Sequence, residues 1–145
     1  MEKRPKPISF GTQKPKVDYA SFRDKKILLV DDSSTIRRNM RQILVGYGCN
    51  ILEAEDGEAA FKMLSLSPDI RLVFCDLNMP ILDGLGFVEK VRASGSDFVS
   101  VGIIMLTTES DRENVLRGKA AGVLGWLIKP PVPGHVQSCI EKFLT

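Results

Sequence analysis

Charged residues stand directly after three short apolar runs of this sequence, and their chemical types could bind a cation or a phosphoryl group. Asp31 and Asp32 follow the first run, and Asp76 follows a later one. Lys129 follows a third. In an open parallel sheet, ligands bind in the crevice at the carboxyl ends of the strands. If these runs are neighbouring strands, three carboxylates and one ammonium group meet in a pocket suited to a hard divalent cation, a phosphoryl group or both.

The acidic residues of such a pocket call for a cation, because three ionised carboxylates so close together repel one another. A Mg²⁺ ion typically takes one or two carboxylates together with waters and phosphate oxygens. Asp76 is the natural nucleophile, since a carboxylate can attack a phosphoryl group to give an aspartyl phosphate. Lys129 would supply a second positive charge, and Thr107, at the end of another apolar run, would offer a hydroxyl donor. Charged loop ends without function are the simpler interpretation of any one residue, but four signals at four strand ends favour a site.

From Lys26 onward, short apolar runs alternate with amphipathic stretches, which is typical of strands alternating with helices. This alternation predicts an α/β fold with a five-stranded parallel sheet, right-handed crossovers and helices on both faces. The function should then lie at the carboxyl edge of the sheet. The predicted strands are 26–30, 50–54, 72–75, 101–106 and 126–128. The first predicted helix begins at a cap at Ser33 or Ser34 and ends at Val45. The other predicted helices are 58–66, 85–93, 111–121 and 136–144, and the last of these begins near Pro133.

The composition indicates one globular domain. The chain has 145 residues, 43% hydrophobic and 26% charged, which is ordinary for a folded domain of that size. No apolar stretch approaches the roughly 20 residues needed to span a bilayer, and the basic amino terminus lacks the apolar core of a secretion signal. Three widely spaced cysteines fit neither a zinc site nor a disulfide framework, which favours a reducing, cytoplasmic location.

The amino-terminal region differs in charge from the rest. Residues 1–26 carry eight basic and three acidic side chains, against twelve and fifteen in the remainder. We therefore expect residues 1–24 to be a basic, flexible extension and residues 25–145 to be the folded domain. A basic tail could contact nucleic acid or an anionic membrane, but a solvated terminus is the simpler expectation. The sequence leaves open whether apolar residues of the tail, such as Phe22, dock on the domain.

Taken together, the motifs resemble the receiver domains of response regulators, most closely the single-domain chemotaxis regulators. The resemblance covers about residues 25–144 and implies a flavodoxin-like fold with strand order 2-1-3-4-5. The motifs that carry it are Val30-Asp31-Asp32-Ser33-Ser34-Thr35-Ile36-Arg37-Arg38, Glu53-Ala54-Glu55-Asp56-Gly57, Asp76-Leu77-Asn78-Met79-Pro80 with Asp83-Gly84, Thr107-Thr108-Glu109, and Lys129-Pro130.

The resemblance implies a role for each matching residue of the pocket. Asp76 would be the phosphorylation site. Asp32, Asp76 and the backbone carbonyl of Asn78 would bind Mg²⁺ directly, and Asp31 would hold a metal-bound water. Lys129 would contact the phosphoryl group.

The resemblance also implies residues for a conformational switch and residues that control the dephosphorylation rate. Thr107 would be the switch hydroxyl, drawn inward on phosphorylation, and Trp126 would follow it between exposed and buried states. Asn78 and Glu109 would tune the rate at which water removes the phosphoryl group. Lys129–Pro130 is a candidate for a cis peptide bond by the same resemblance.

The implied function is a phosphorylation-activated switch of a two-component system. The phosphodonor would be a phosphohistidine on a sensor histidine kinase, and the only chemistry catalysed would be the chain's own phosphorylation and dephosphorylation. Because the sequence ends at Thr145, we expect no attached output domain and a separate target protein, with a chemotaxis protein or flagellar motor switch favoured. The target would dock on the fourth helix, fifth strand and fifth helix. A phosphorelay intermediate is the alternative, and a phosphohydrolase with an aspartyl nucleophile is disfavoured because Asn78 cannot act as its acid or base.

Three features depart from the close relatives in the family. Trp126 replaces the usual Tyr or Phe, Pro131-Val132-Pro133 replaces an aromatic residue after the Lys-Pro pair, and the basic tail has no counterpart. These differences affect the expected identity of the partner protein and leave the expected phosphorylation chemistry unchanged. Arg37 and Arg38, beside the acidic pair, are interpreted as a solvated face of the first helix.

Overall fold

The computed structural model describes residues 19–95, 98, 101–108 and 112–144. Over these residues the chain forms one five-stranded sheet and five α-helices, preceded by a short 3₁₀-helix at Tyr19–Phe22. The strands are β1 (Lys26–Val30), β2 (Asn50–Ala54), β3 (Ile70–Asp76), β4 (Gly102–Thr107) and β5 (Gly125–Ile128). The helices are α1 (Ser34–Val45), α2 (Gly57–Leu66), α3 (Gly84–Ala93), α4 (Arg112–Ala120) and α5 (Pro133–Phe143).

The sheet has the strand order β2-β1-β3-β4-β5, and every neighbouring pair is parallel. The expected order 2-1-3-4-5 is therefore confirmed. The inner strands are almost wholly apolar because helices cover both of their faces. One apolar layer packs against α2 and α3, and the other packs against α1 and α5. With β3 in the middle, the carboxyl ends of β1, β3, β4 and β5 lie along one edge.

The first three helices begin at that same edge and are held there by side-chain caps. Ser33, Asp56 and Asp83 are the N-cap residues of α1, α2 and α3, and each accepts a hydrogen bond from a backbone N–H of the first turn. Such caps satisfy donors that a helix start otherwise leaves unpaired. They fix the loops that leave β1, β2 and β3, and these loops surround the predicted pocket.

The predicted element boundaries agree with the structure to within about three residues. The largest differences are at β3, which begins at Ile70 and includes Asp76, and at α5, which begins at Pro133. Proline is favoured in the first helical turn because it has no N–H to leave unsatisfied there. Among the described residues, no helix is both long and apolar enough to cross a membrane.

The folded structure takes in part of the expected amino-terminal extension. Phe22 has no exposed surface, and its ring packs edge-to-face on Tyr47 at a centroid distance of 5.8 Å. The Lys25 ammonium group also donates to the carbonyl oxygen of Leu144 at 2.8 Å. The apolar residue whose docking the sequence left open is thus a core residue. The expectation for residues 1–18 lies outside the described residues.

Candidate functional site

The carboxyl edge of the sheet brings together acidic side chains that are far apart in the sequence. One ligand oxygen from each of Asp31, Asp32 and Asp76 lies within 4.8 Å of the others. Asp31 and Asp32 directly follow β1, and Asp76 is the last residue of the adjacent strand β3. Lys129 directly follows β5 and reaches back to the same place. The predicted convergence of these four residues is therefore found in the structure.

Asp76 lies at the floor of this pocket. The residue is 4% exposed, and its Oδ1 atom lies 2.8 Å from the Lys129 ammonium nitrogen. The backbone N–H of Asn78 also donates to its carboxylate. A buried carboxylate with one oxygen paired to a cation is held in a single orientation, which is what a nucleophile in a positioned attack requires.

The two adjacent aspartates have different surroundings. Asp31 is 2% exposed, and its Oδ1 accepts a hydrogen bond from the Ser33 backbone N–H at 2.9 Å. Its Oδ2 lies 2.9 Å from the Lys129 nitrogen, but this ion pair lacks the geometry of a hydrogen bond, and no other described residue donates to that atom. Asp32, by contrast, is exposed. The pocket thus has a buried acidic floor and an acidic rim open to solvent.

These donors fit a hard divalent cation. All are carboxylate oxygens, which Mg²⁺ prefers, and the open rim leaves room for the waters that Mg²⁺ retains. The buried oxygen of Asp31 that lacks a hydrogen donor is an acceptor that a metal-bound water would satisfy. The observed geometry therefore supports a cation site, and the identity of its ligands remains a prediction.

The pKa shifts of Asp76 and Lys129 indicate that the negative charge of the pocket is only partly compensated. Burial raises the pKa of Asp76, the hydrogen bond from Lys129 opposes this, and the nearby charge of Asp31 raises it further. For Lys129, burial alone would lower the pKa, but the close contacts with the carboxylates of Asp76 and Asp31 outweigh burial, so the pKa is raised. Lys129 therefore stays charged at neutral pH, and ionised Asp76 remains unfavourable next to Asp31.

The loop between β3 and α3 packs tightly against the pocket. Gly84 begins α3 so close to Asp76 that a β-carbon there would collide with the backbone carbonyl of Asp76. The Gly84 N–H donates to the carbonyl of Leu77 at 2.9 Å. Within the same loop, Ile81 has a φ of 71°, a left-handed conformation that β-branched residues rarely adopt.

The predicted switch residues lie beside the pocket. Thr107 ends β4 and is 1% exposed, and its carbonyl accepts a hydrogen bond from the Lys129 N–H at 2.8 Å. Trp126 is half-buried in β5 and packs on α4 at Gly118, where a β-carbon would lie 2.6 Å from the indole Cζ2. The indole N–H is buried without a hydrogen-bond partner among the residues that the structure describes. The switching roles of both residues stay predictions.

The other site predictions have mixed outcomes. The side chain of Asn78 is exposed in the loop after Asp76, and its carbonyl as a metal ligand stays a prediction. Glu109 lies outside the described residues. The Lys129–Pro130 peptide bond is cis, as the motif suggested.

One interpretation of the sequence is wrong. Arg37 is not a solvated residue: its side chain is 14% exposed, pairs with Glu53 and donates to the backbone carbonyl of Asp31. Arg38 is exposed, as expected. A signal for the buried role was present, because Arg37 and Arg41 are four residues apart on one helix face and Glu53 lies at the end of the predicted second strand.

Comparison with known proteins agrees with this geometry. The model of the response regulator receiver domain family matches residues 27–141. The chemotaxis protein CheY1 of Helicobacter pylori is 40% identical over 121 residues, which cover 82% of this chain and 96% of that protein. The CheY homolog of Campylobacter jejuni is 38% identical over 120 residues, 82% of this chain and 92% of that protein. The solved structure of the Vibrio cholerae chemotaxis protein CheY4 has a TM-score of 0.76 at 34% identity and covers 83% of this chain and 98% of that chain.

Proposed function

The chain belongs to the response regulator receiver domain family, and from that premise we propose that it is a phosphorylation-activated switch with Asp76 as the phosphoacceptor. The observation that carries the proposal is the position of Asp76 at the end of the central strand. Its carboxylate is buried, held by Lys129 at 2.8 Å, and adjoins two further carboxylates. Carboxylates that are gathered in one place despite their mutual repulsion are typical of a functional site.

The proposed reaction transfers a phosphoryl group from a phosphohistidine of a sensor histidine kinase. A carboxylate oxygen of Asp76 forms a bond to phosphorus as the phosphorus–nitrogen bond breaks, and the histidine leaves as the neutral imidazole after taking up a proton. Asp32, Asp76 and the backbone carbonyl of Asn78 would hold Mg²⁺, with Asp31 acting through a water. When bound, this ion supplies positive charge that neutralises the phosphoryl oxygens.

Lys129 and Thr107 would then respond to the new group. The Lys129 ammonium group already contacts Asp76, so it remains within reach of an oxygen of a phosphoryl group attached there. The Thr107 hydroxyl would donate to another such oxygen, and Trp126 would follow the movement of β4. Phosphorylation thereby shifts a two-state equilibrium by adding charge and acceptor oxygens. Asn78 and Glu109 would set the lifetime of the phosphorylated state.

The proposed output is a change in affinity for a separate target protein in the cytoplasm. Large apolar side chains are exposed on α4, on β5 and just before α5, at Leu116, Ile128 and Val132. Exposed apolar side chains on consecutive elements are typical of a protein-binding surface when they form one patch. The named relatives are chemotaxis proteins, which supports a chemotaxis or flagellar motor target for this chain. Residues 1–18 are proposed to be an extension outside this switch.

Intact-mass spectrometry after incubation with acetyl phosphate tests the phosphoacceptor. The wild-type chain should gain the mass of one phosphoryl group when Mg²⁺ is present and none when it is chelated. Asp76→Asn should gain none under either condition. Asp56→Asn is the matched control, because it removes a carboxylate at the same edge while asparagine preserves the helix cap. Labelling that persists in Asp76→Asn would contradict the assignment.

A further inference from the structure

Arg37 connects the acidic pocket to the edge strand of the sheet. Its Nε donates to Glu53 Oε1 at 2.8 Å, and its Nη1 donates to the backbone carbonyl of Asp31. Glu53 is itself held from the other side by Arg41, whose Nε donates to Oε2 at 2.7 Å. Glu53 therefore fixes the orientation of the Arg37 guanidinium, and another N–H group of the same guanidinium donates to the backbone of the pocket.

The carbonyl that Arg37 holds belongs to the peptide joining Asp31 to Asp32. The strand ladder ends just before it, where the Asp31 N–H donates to the carbonyl of Ala54 at 3.1 Å. Beyond the ladder, the orientation of this one peptide decides where the exposed Asp32 carboxylate lies relative to the buried Asp31 carboxylate. A rigid, planar donor suits the task, because a guanidinium can bond to two acceptors in a fixed geometry.

We propose that Arg37 is a positioning residue that orients the Asp31–Asp32 peptide for cation binding, and this rests on the proposed Mg²⁺ site. Arg37 acts through the backbone and does not itself touch the cation. Groups that orient metal ligands commonly change metal affinity by about 10- to 100-fold when removed.

The sign of the effect separates positioning from simple electrostatics. Arg37 carries a positive charge near a cation site, so removing that charge would by Coulomb's law tighten Mg²⁺ binding. Loss of positioning would weaken it. Arg38 is the matched control, because it neighbours Arg37, has the same charge and is exposed.

The test is isothermal titration of the full chain with MgCl₂. Arg37→Ala should weaken Mg²⁺ binding about tenfold, and Arg37→Lys should recover part of the loss. Glu53→Gln should weaken binding by a smaller factor, since it loosens the guanidinium without removing it. Arg38→Ala should stay within about twofold of the wild type. Urea unfolding without Mg²⁺ shows that each variant is folded. Arg37→Lys carries the test should Arg37→Ala fail to fold, because it keeps the charge and loses the fixed donor geometry, so weaker binding there can come only from lost positioning.

A second readout distinguishes affinity from chemistry. At saturating Mg²⁺, the rate of labelling by acetyl phosphate in Arg37→Ala should return to within about threefold of the wild type, because the ion then imposes the geometry. A rate that stays low at saturation would overturn the proposal.

The outcomes also separate this proposal from the one on which it rests. If the wild type does not bind Mg²⁺, the proposed metal site fails and the role of Arg37 fails with it. If the wild type binds Mg²⁺ and Asp32→Asn abolishes binding, the site stands. Unchanged or tighter binding in Arg37→Ala would then overturn the positioning role alone.

Discussion

At the amino edge of the sheet an arginine is surrounded by backbone carbonyls, whereas at the carboxyl edge three carboxylates converge and two of them, those of Asp31 and Asp76, share the ammonium group of Lys129. Arg92, in the last turn of α3, donates to the carbonyl oxygens of Ala121, Phe98, Val101 and Gly122 at 3.1 to 3.3 Å. This one side chain ties the end of α3 to the start of β4 and to the loop before β5.

The two edges of the sheet differ in how their charges are compensated. Among the described residues, Arg92 donates hydrogen bonds only to backbone carbonyls. The dipoles of these carbonyls therefore stabilise its positive charge without a second ionised group. At the opposite edge, burial and like charge raise the pKa of Asp76, and an oxygen of Asp31 lacks a hydrogen donor. At the amino edge the charge is compensated by the protein itself, whereas at the carboxyl edge the negative charge is only partly compensated, which is consistent with the proposed cation and phosphoryl site.

The largest expected effect is at the amino edge, with Arg92→Ala. The substitution removes four hydrogen bonds from a charged donor and leaves partly buried carbonyls without it, so the free energy of unfolding should fall by about 3 kcal/mol. Urea denaturation measures it. Arg71→Ala is the control, because Arg71 lies at the same edge and is exposed. Mg²⁺ affinity should not change, and a loss of it in Arg92→Ala would mean that the two edges are not independent.

At the carboxyl edge, Asp76→Asn should have the opposite sign. The substitution removes a buried carboxylate that Asp31 repels, so without Mg²⁺ the variant should be more stable than the wild type by about 1 kcal/mol at pH 7. With saturating Mg²⁺ the difference should shrink or reverse, since the ion stabilises only the chain that binds it. Thermal denaturation with and without a chelator measures both. A destabilised variant without Mg²⁺ would show that the Lys129 pair outweighs the repulsion.

The same comparison predicts a pH dependence. The native pKa of Asp76 is raised above its unfolded value of 3.8, so the native state holds this proton more tightly than the unfolded state does. The stabilising contribution of protonated Asp76 is then fully present below pH 3.8 and is lost as the pH rises through the native pKa. The stability advantage of Asp76→Asn should therefore grow over that interval, and an advantage independent of pH would exclude titration of Asp76 as its cause.

The sequence predicts the carboxyl edge better than it predicts what supports that edge. Asp31, Asp76 and Lys129 could be placed because each ends an apolar run, and parallel strands bring such ends together. The role of Arg37 could not be placed, since it depends on how α1 is rotated against β2. The burial of Phe22 depends on the same kind of tertiary contact, because a lone aromatic in a proline-containing segment has no periodicity to mark it.

Backbone conformation shows the same contrast between the two edges. At the amino edge, three of the four described left-handed positions are glycine, at Gly48, Gly95 and Gly122, and the fourth is Asp24 with a φ of 64°. Glycine adopts positive φ without steric penalty, and aspartate tolerates it better than most other residues do. At the carboxyl edge, the left-handed position in the loop after Asp76 is Ile81, whose φ is 71°. No sequence pattern indicates this conformation, because isoleucine predicts extended backbone.

The smallest expected effect follows from that residue. Ile81 is 79% exposed, so Ile81→Gly loses little buried apolar surface while it removes the clash between Cβ and the following carbonyl. That relief outweighs the extra freedom of glycine in the unfolded chain and should raise the free energy of unfolding by about 0.5 kcal/mol. Gly95→Ala is the matched control, because the space around Gly95 is open and its φ is 95°; it should lower stability by a similar amount. Equal destabilisation in both variants would mean that the isoleucine is not strained, and the contrast between the two edges would then be confined to their charges.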